Sequence, residues 1–238
     1  MTGMDQPLDA GAVVAEAMGT SFLLAAVVGS GIMGERLAGG NVAIALLANS
    51  LATGAALTAL ILAFGPISGA HFNPVVTMVE AVQGRLLPKQ AVSYVLAQVL
   101  GAFTGVIAAQ VMFSEPLLLA STHERSGFAQ MFSEFVATFG LVTVIFTVSR
   151  SRASAVPFAV AAYIVAAFWF TSSTSFANPA VTVARGFTNT FTGIRPADVP
   201  VFLVGQVGGA VASMVMCRWL AGGVARAKDE VESRVPVP

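Results

Sequence analysis

The chain has 238 residues, 56% hydrophobic and only 10% charged, with a mean hydropathy of +0.81. Ordinary soluble domains carry roughly 25% charged residues, so this composition describes an integral membrane protein. Twelve Lys and Arg balance twelve Asp and Glu, which excludes a nucleic-acid partner or an acidic substrate read from charge, and the single Cys217 excludes an internal disulfide and a multi-cysteine metal site.

Met1 to Gly11 carries Asp5 and Asp9 but no Lys or Arg, the wrong charge for a signal peptide, so the first apolar stretch reads as a retained anchor. Apolar stretches follow at about 12–34, 41–64, 88–112, 128–149, 155–172 and 199–221. Each approaches or exceeds the ~20 residues that cross a ~30 Å hydrocarbon core, the fifth having the least defined ends. The breaks between them are polar or helix-breaking: Gly34-Glu35-Arg36, Gly84-Arg85 before Pro88, Glu115-Pro116, His123-Glu124-Arg125 and Ser149 to Arg152.

Charge-free sequence runs past the second span to Val79 and past the fifth to Ala184. These continuations contain two near-copies of one phrase, Asn73-Pro74-Val75-Val76-Thr77 and Asn178-Pro179-Ala180-Val181-Thr182. Asn is a strong helix N-cap and Pro is favoured at the first helical position, so each phrase marks an abrupt helix start. Only about ten helical residues can follow each Asn, ~15 Å, half of a bilayer core. Each is therefore expected to be a half-helix on a re-entrant loop. Non-helical backbone at that depth persists only when buried in protein or lining a water-filled cavity, so a pore or site near the midplane follows.

The flanks repeat as well. Ala15 to Leu23 recurs loosely as Ser133 to Leu141, aligning Glu16 with Glu134, and Ala97 to Ala102 recurs as Gly205 to Ala210, aligning Gln98 with Gln206. Three spans per half is an odd number, so the second half enters the membrane from the opposite side: an inverted repeat, with the half-helices meeting Asn to Asn. The expected organisation is one channel domain over 1–238, with a first repeat at about 11–113, a second at about 127–222, and 223–238 as a solvated or disordered cytoplasmic tail. With a cytoplasmic N-terminus, the inside collects Arg85, Lys89, Arg150, Arg152, Arg218, Arg226, Lys228 and Arg234, against Arg36, Arg125, Arg185 and Arg195 outside. That asymmetry favours both termini in the cytoplasm.

Ile67 to Thr77, the second Asn-Pro-Ala, the paired glutamates and the duplicated Gln-helix together resemble the major intrinsic protein family, the aquaporins and aquaglyceroporins, over nearly the whole chain. The resemblance implies an all-α membrane fold of six transmembrane helices and two re-entrant half-helices. It also implies a homotetramer in the cell's inner (plasma) membrane, with one passive pore per subunit for small neutral solutes and no cofactor. Two half-helix N-termini aimed at the midplane place about half a positive charge each there, and the Asn73 and Asn178 amides can donate to a passing solute. Cations are disfavoured there and neutral polar molecules are not.

Carried over by spacing from the two Asn residues, the family's four filter positions fall on Thr53, Ala166, Ser175 and Val181. Most relatives have Arg where this chain has Val181, so the constriction is expected to be wider and less polar than a strict water filter. Phe168 to Thr174 lacks the family's usual Gly-Pro, and a shifted register would bring in Tyr163 or Phe170 instead of Ala166. Arg185, four residues after Val181, lies on nearly the same helix face. Two readings of it stay open, a positive vestibule for oxyanions and a plain surface residue at the half-helix end. Asn178 to Pro196 is similar to AqpS-type arsenical channels associated with bacterial arsenic resistance, which implies arsenous acid and small methylated arsenicals as solutes.

Intramembrane carboxylates are costly and often functional, so Glu16 and Glu134 admit a proton-relay reading. The resemblance implies instead that each accepts bonds from its own re-entrant loop, with Gln98 and Gln206 as interhelical partners. His71 is either a pH-sensitive group at the inner mouth or a packed wall residue. Besides the passive channel, with glycerol or water channels as its variants, a proton-coupled secondary transporter also uses inverted repeats and broken helices. No nucleophile elbow, carboxylate pair beside a His cluster or phosphate-cradling loop suggests an enzyme.

Overall fold

The computed structural model describes residues 8–232, with side chains described as far as residue 221. Met1 to Pro7, and with them part of the segment read for a signal peptide, lie outside the described residues. In chain order the helices are α1 (Ala10–Leu37), α2 (Val42–Ser68), α3 (Pro74–Val82), α4 (Pro88–Phe113), α5 (Phe128–Ser151), α6 (Val156–Phe170), α7 (Pro179–Arg185) and α8 (Val199–Glu232). Short 3₁₀ turns precede α6 and α8. Six of these segments are long and apolar enough to cross a membrane, the fifth when α6 is counted with its preceding 3₁₀ turn from Ala153. The other two, α3 and α7, have nine and seven residues and are the half-helices.

Local chemistry sets the starts. Asp9 caps α1 by accepting from the Ala12 amide, and Asn41 caps α2 by accepting from Ala43 and Ile44. α2 ends on Gly69 at φ 85°, a left-handed stop that glycine adopts without a Cβ clash. The backbone of α8 stays helical past Gly223, into the expected tail, as far as Glu232. The stretch from Val224 to Glu232 is rich in Ala, Arg, Lys and Glu and has no Pro before Pro236, so helix propensity carries the backbone onward. The remainder of the expected tail, residues 233–238, lies outside the described residues.

Two matched packings organise the bundle, α1 on α4 and α5 on α8, with α2 and α6 closing the sides. The close approach rests on small residues. A Cβ on Gly101 or Gly105 of α4 would collide with the Ala17 or Ser21 carbonyl of α1, and one on Gly205 or Gly209 of α8 with the Met131 or Phe135 carbonyl of α5. Backbones in lipid associate through such contacts, because hydrocarbon supplies no hydrophobic drive between helices. The outward faces carry exposed apolar side chains, among them Met18, Phe22, Leu51, Leu100 and Phe132, as a lipid-facing surface requires.

Candidate functional site

The two half-helices begin at the centre of the bundle. Asn73 and Asn178 are both extended, at φ −153° and −157°. Each side-chain oxygen caps its own helix, Asn73 accepting from the Val75 amide and Asn178 from those of Ala180 and Val181. Pro74 and Pro179 occupy the first helical turn, where a missing N–H costs nothing. Val75 and Ala180 point into the packed interior, at 0% and 1% exposure. Each Asn amide then crosses to the opposite loop, Asn73 Nδ2 donating to the Ala177 carbonyl at 2.8 Å and Asn178 Nδ2 to the Phe72 carbonyl at 2.7 Å. An amide has two hydrogens, so one remains on each Asn, and both residues line the central cavity.

The loops leading to these starts hold non-glycine residues in left-handed conformation: Ala70 and Phe72 in one, Thr174, Ser175 and Ala177 in the other. Such backbone persists only where its surroundings over-determine it. Glu16 provides this for the first loop, accepting from the His71 and Phe72 amides at 2.9 and 2.7 Å and from Ser68 Oγ at 2.6 Å. Glu134 does the same for the second, accepting from the Phe176 and Ala177 amides at 2.9 and 2.8 Å. Gln98 Nε2 donates to Glu16 and to Thr77 Oγ1, and Gln206 Nε2 to Glu134 and to Thr182 Oγ1. Both carboxylates and both glutamines are fully buried, the carboxylates and the glutamine Nε2 atoms being committed to these contacts while the glutamine Oε1 atoms have no partner.

A cavity of about 480 Å³ runs through the bundle between the half-helices. One wall is apolar, built from Leu23, Leu57, Leu141, Val160, Ile164, Phe168 and neighbours. The other is the polar stripe of the re-entrant loops, Gly69 to Asn73 and Ser175 to Asn178. Of the positions expected at the constriction, Thr53, Ser175 and Val181 line this cavity and the Thr53 and Ser175 hydroxyls have no protein partner. Ala166 does not belong with them. Val156, Val160, Ile164 and Phe168 form the cavity-facing row of α6, and Ala166 sits about 200° around the helix from it, exposed on the outer surface. Tyr163 and Phe170 do not enter the cavity either: Tyr163 donates to the Val136 and Ala137 carbonyls, and Phe170 is exposed.

Arg185 is no surface residue. It is 2% exposed, lines the cavity one helical turn beyond Val181, and lies with its guanidinium carbon 3.3 Å from the centroid of the Phe176 ring. Its Nε donates to the Thr192 carbonyl. Arg125 lies over the same ring at 5.1 Å and donates to the Gly193 and Ser173 carbonyls. Sequence reasoning missed Arg125, Phe176, Ile164 and Phe168 as members of the site. The residue before Ala177 in a repeated loop was a usable signal for Phe176; Arg125 sits in a polar loop with nothing to distinguish it.

At the opposite end the cavity is lined by Glu80, Arg85, Ser149 and Arg150. Arg85 forks onto Glu80, a hydrogen-bonded contact that raises its pKa. His71 sits on the wall with Nδ1 3.0 Å from Thr77 Oγ1 and its ring edge-on to Tyr94. His123 is exposed, and Cys217 is buried. Among the described residues no cluster of three or more His, Cys, Asp or Glu could hold a metal ion.

Residues 4–162 match the family model "Major intrinsic protein". The chain is 54% identical over 207 residues to aquaglyceroporin AqpS of Rhizobium meliloti, covering 87% of this chain and 88% of that one. It is 33% identical over 213 residues to aquaporin NIP1-1 of Zea mays, covering 84% and 71% respectively. The fold superimposes on the X-ray structure of the aquaglyceroporin from Plasmodium falciparum with a TM-score of 0.64 and 22% identity, over 87% of this chain and 93% of that one. With six spans, two half-helices capped by Asn at the centre and one cavity between them, the chain belongs to the major intrinsic protein family and is a membrane channel for small solutes, not an enzyme.

Proposed function

We propose that the channel passes small uncharged polar solutes, with arsenous acid and methylated arsenicals as its cargo and glycerol and water as lesser permeants. The observation that carries this reading is that Val181 lines the cavity together with Thr53 and Ser175, small uncharged groups in a cavity with an apolar wall. A methylated arsenical has an apolar methyl side and one or two hydroxyls, and suits a wall with one apolar face and one polar stripe. The 54% identity to a protein called an aquaglyceroporin supports solutes larger than water. In this reading Asn73 and Asn178 form the central motif, with Pro74, Val75, Pro179 and Ala180 setting its geometry. Thr53, Ser175 and Val181 line the filter with Phe168 or Ile164 in place of Ala166, and Glu16, Glu134, Gln98 and Gln206 support the loops.

The test is stopped-flow permeability of reconstituted protein to water, glycerol and arsenicals, comparing wild type with Val181→Arg. The substitution is expected to preserve water flux better than flux of the larger solutes. Arsenical flux no greater than in empty vesicles rejects the cargo assignment, and equal loss of every solute removes Val181 from the constriction.

The proposal extends to organisation: repeats at about 11–113 and 127–222, both termini cytoplasmic in the plasma membrane as the basic residues suggest, and a homotetramer. In this orientation Arg185 lies toward the outside and Arg85 toward the inside. A proton-coupled transporter is disfavoured because the oxygens of Glu16 and Glu134 are occupied by loop amides and glutamine donors.

A further inference from the structure

We propose that Arg185 is a specificity-determining residue of the pathway: it supplies the hydrogen-bond donors and the fixed positive charge of the outer constriction, a turn away from where the family places its arginine. The proposal rests on the reading of the chain as a channel for small neutral solutes and names how that solute is held.

Four observations carry it. Arg185 is one of the residues that line the cavity, one helical turn beyond Val181 on the half-helix opposite the one that leads to Glu80 and Arg85. The side chain is 2% exposed, yet among the described residues it forms no ion pair, and only Nε has a partner, the Thr192 carbonyl. Its two terminal nitrogens therefore keep their donors for whatever occupies the cavity. Glu134 acts on it only through space, because that carboxylate is already bound by the Phe176 and Ala177 amides and Gln206. A buried guanidinium left unpaired is expensive, and such a group marks a functional position in a membrane protein.

The rest of the arrangement holds the fork still. Phe176 lies beneath it at 3.3 Å and is itself edge-on to Phe202. Arg125 is a positioning residue: it fastens Gly193, next to the carbonyl that holds Arg185 Nε, and Ser173, at the start of the loop that carries Phe176. The unpartnered hydroxyls of Thr53 and Ser175 belong to the same cavity. A forked donor in a cavity otherwise lined by small uncharged and apolar groups suits a neutral solute bearing several oxygens on a small frame, whose oxygens accept from the fork. The same charge repels cations.

The full chain in lipid vesicles tests this with three readouts: water permeability, glycerol permeability, and proton leak under an imposed potential with an enclosed pH dye. Arg185→Gln is expected to raise proton leak about tenfold or more and to lower the glycerol-to-water ratio at least about threefold. Arg185→Lys, which keeps the charge and loses the fork, is expected to hold proton leak at the wild-type level while the ratio still falls. Phe176→Leu, which keeps the arginine and removes its platform, is expected to lower the ratio as well and serves if Arg185→Gln does not yield a folded channel. Variants that lose all three permeabilities in parallel, or match wild type in leak and ratio, overturn the proposal alone. Wild-type vesicles no more permeable than empty ones to both water and glycerol, and to arsenous acid assayed alongside, overturn the underlying reading and this inference with it.

Discussion

Asn73 and Asn178 exchange hydrogen bonds between the two re-entrant loops, each amide donating to the carbonyl of the residue that precedes the other Asn, Ala177 at 2.8 Å and Phe72 at 2.7 Å. Those acceptor residues are in turn held through their own amides, Phe72 by Glu16 and Ala177 by Glu134. The centre of the channel is thus a closed circuit in which each half fixes the other's strained backbone. Neither half completes its own geometry alone.

The circuit makes Asn73 costlier to remove than an ordinary cap. Asn73→Ala loses both the cap and the cross-loop bond and strands the buried Ala177 carbonyl, so destabilisation of about 2–3 kcal/mol is expected. Asn41→Ala, at the exposed start of α2, removes a cap alone and is expected to cost about 1 kcal/mol. Thermal unfolding of both variants in detergent checks the difference. Equal shifts would show that the cross-loop bond contributes nothing.

Glu134→Gln keeps the side chain's shape and turns one accepting oxygen into a donor that faces other donors, among them the Gln206 amide. A loss of about 2–4 kcal/mol is expected, seen as a lower melting temperature and lower folded yield. Glu16→Gln should behave alike. Wild-type solute flux should not change when a pH gradient is imposed, because neither carboxylate has a free oxygen to relay a proton. Flux that follows the gradient in vesicles would restore the transporter reading.

Gly101→Leu places a Cβ against the Ala17 carbonyl of α1, and Gly209→Leu one against the Phe135 carbonyl of α5. Backbone cannot yield as a flexible side chain does, so each variant is expected to lose about 3 kcal/mol or more, or to fail to fold. Gly208→Ala, where a Cβ comes no closer than 3.4 Å to the Phe135 ring, is expected to be neutral or to gain up to about 1 kcal/mol from helix propensity. Unfolding in detergent distinguishes the two cases.

Much of the fold is legible in the amino-acid sequence because a membrane turns it into a problem of length and caps. Apolar runs of spanning length, the Asn-Pro starts and the duplicated Glu and Gln positions are local features, and each points to its element without reference to a partner. The same medium hides which face of a helix meets the pore. α6 from Val156 to Phe170 is apolar on every side, since lipid and cavity wall both accept apolar groups, so periodicity carries no sign there and spacing alone put Ala166 where Ile164 and Phe168 stand.

Sequence by itself determined the six spans, the two half-helices and the pairing of the halves, because hydropathy, capping and repetition act within a few residues. Only the tertiary structure decided that the α6 row facing the cavity is 156, 160, 164 and 168, and that Arg185 is buried on Phe176 rather than solvated. It also decided that Arg125, from a distant loop, joins it. These depend on helix rotation and loop closure across more than fifty residues of chain, which no local pattern of residues encodes.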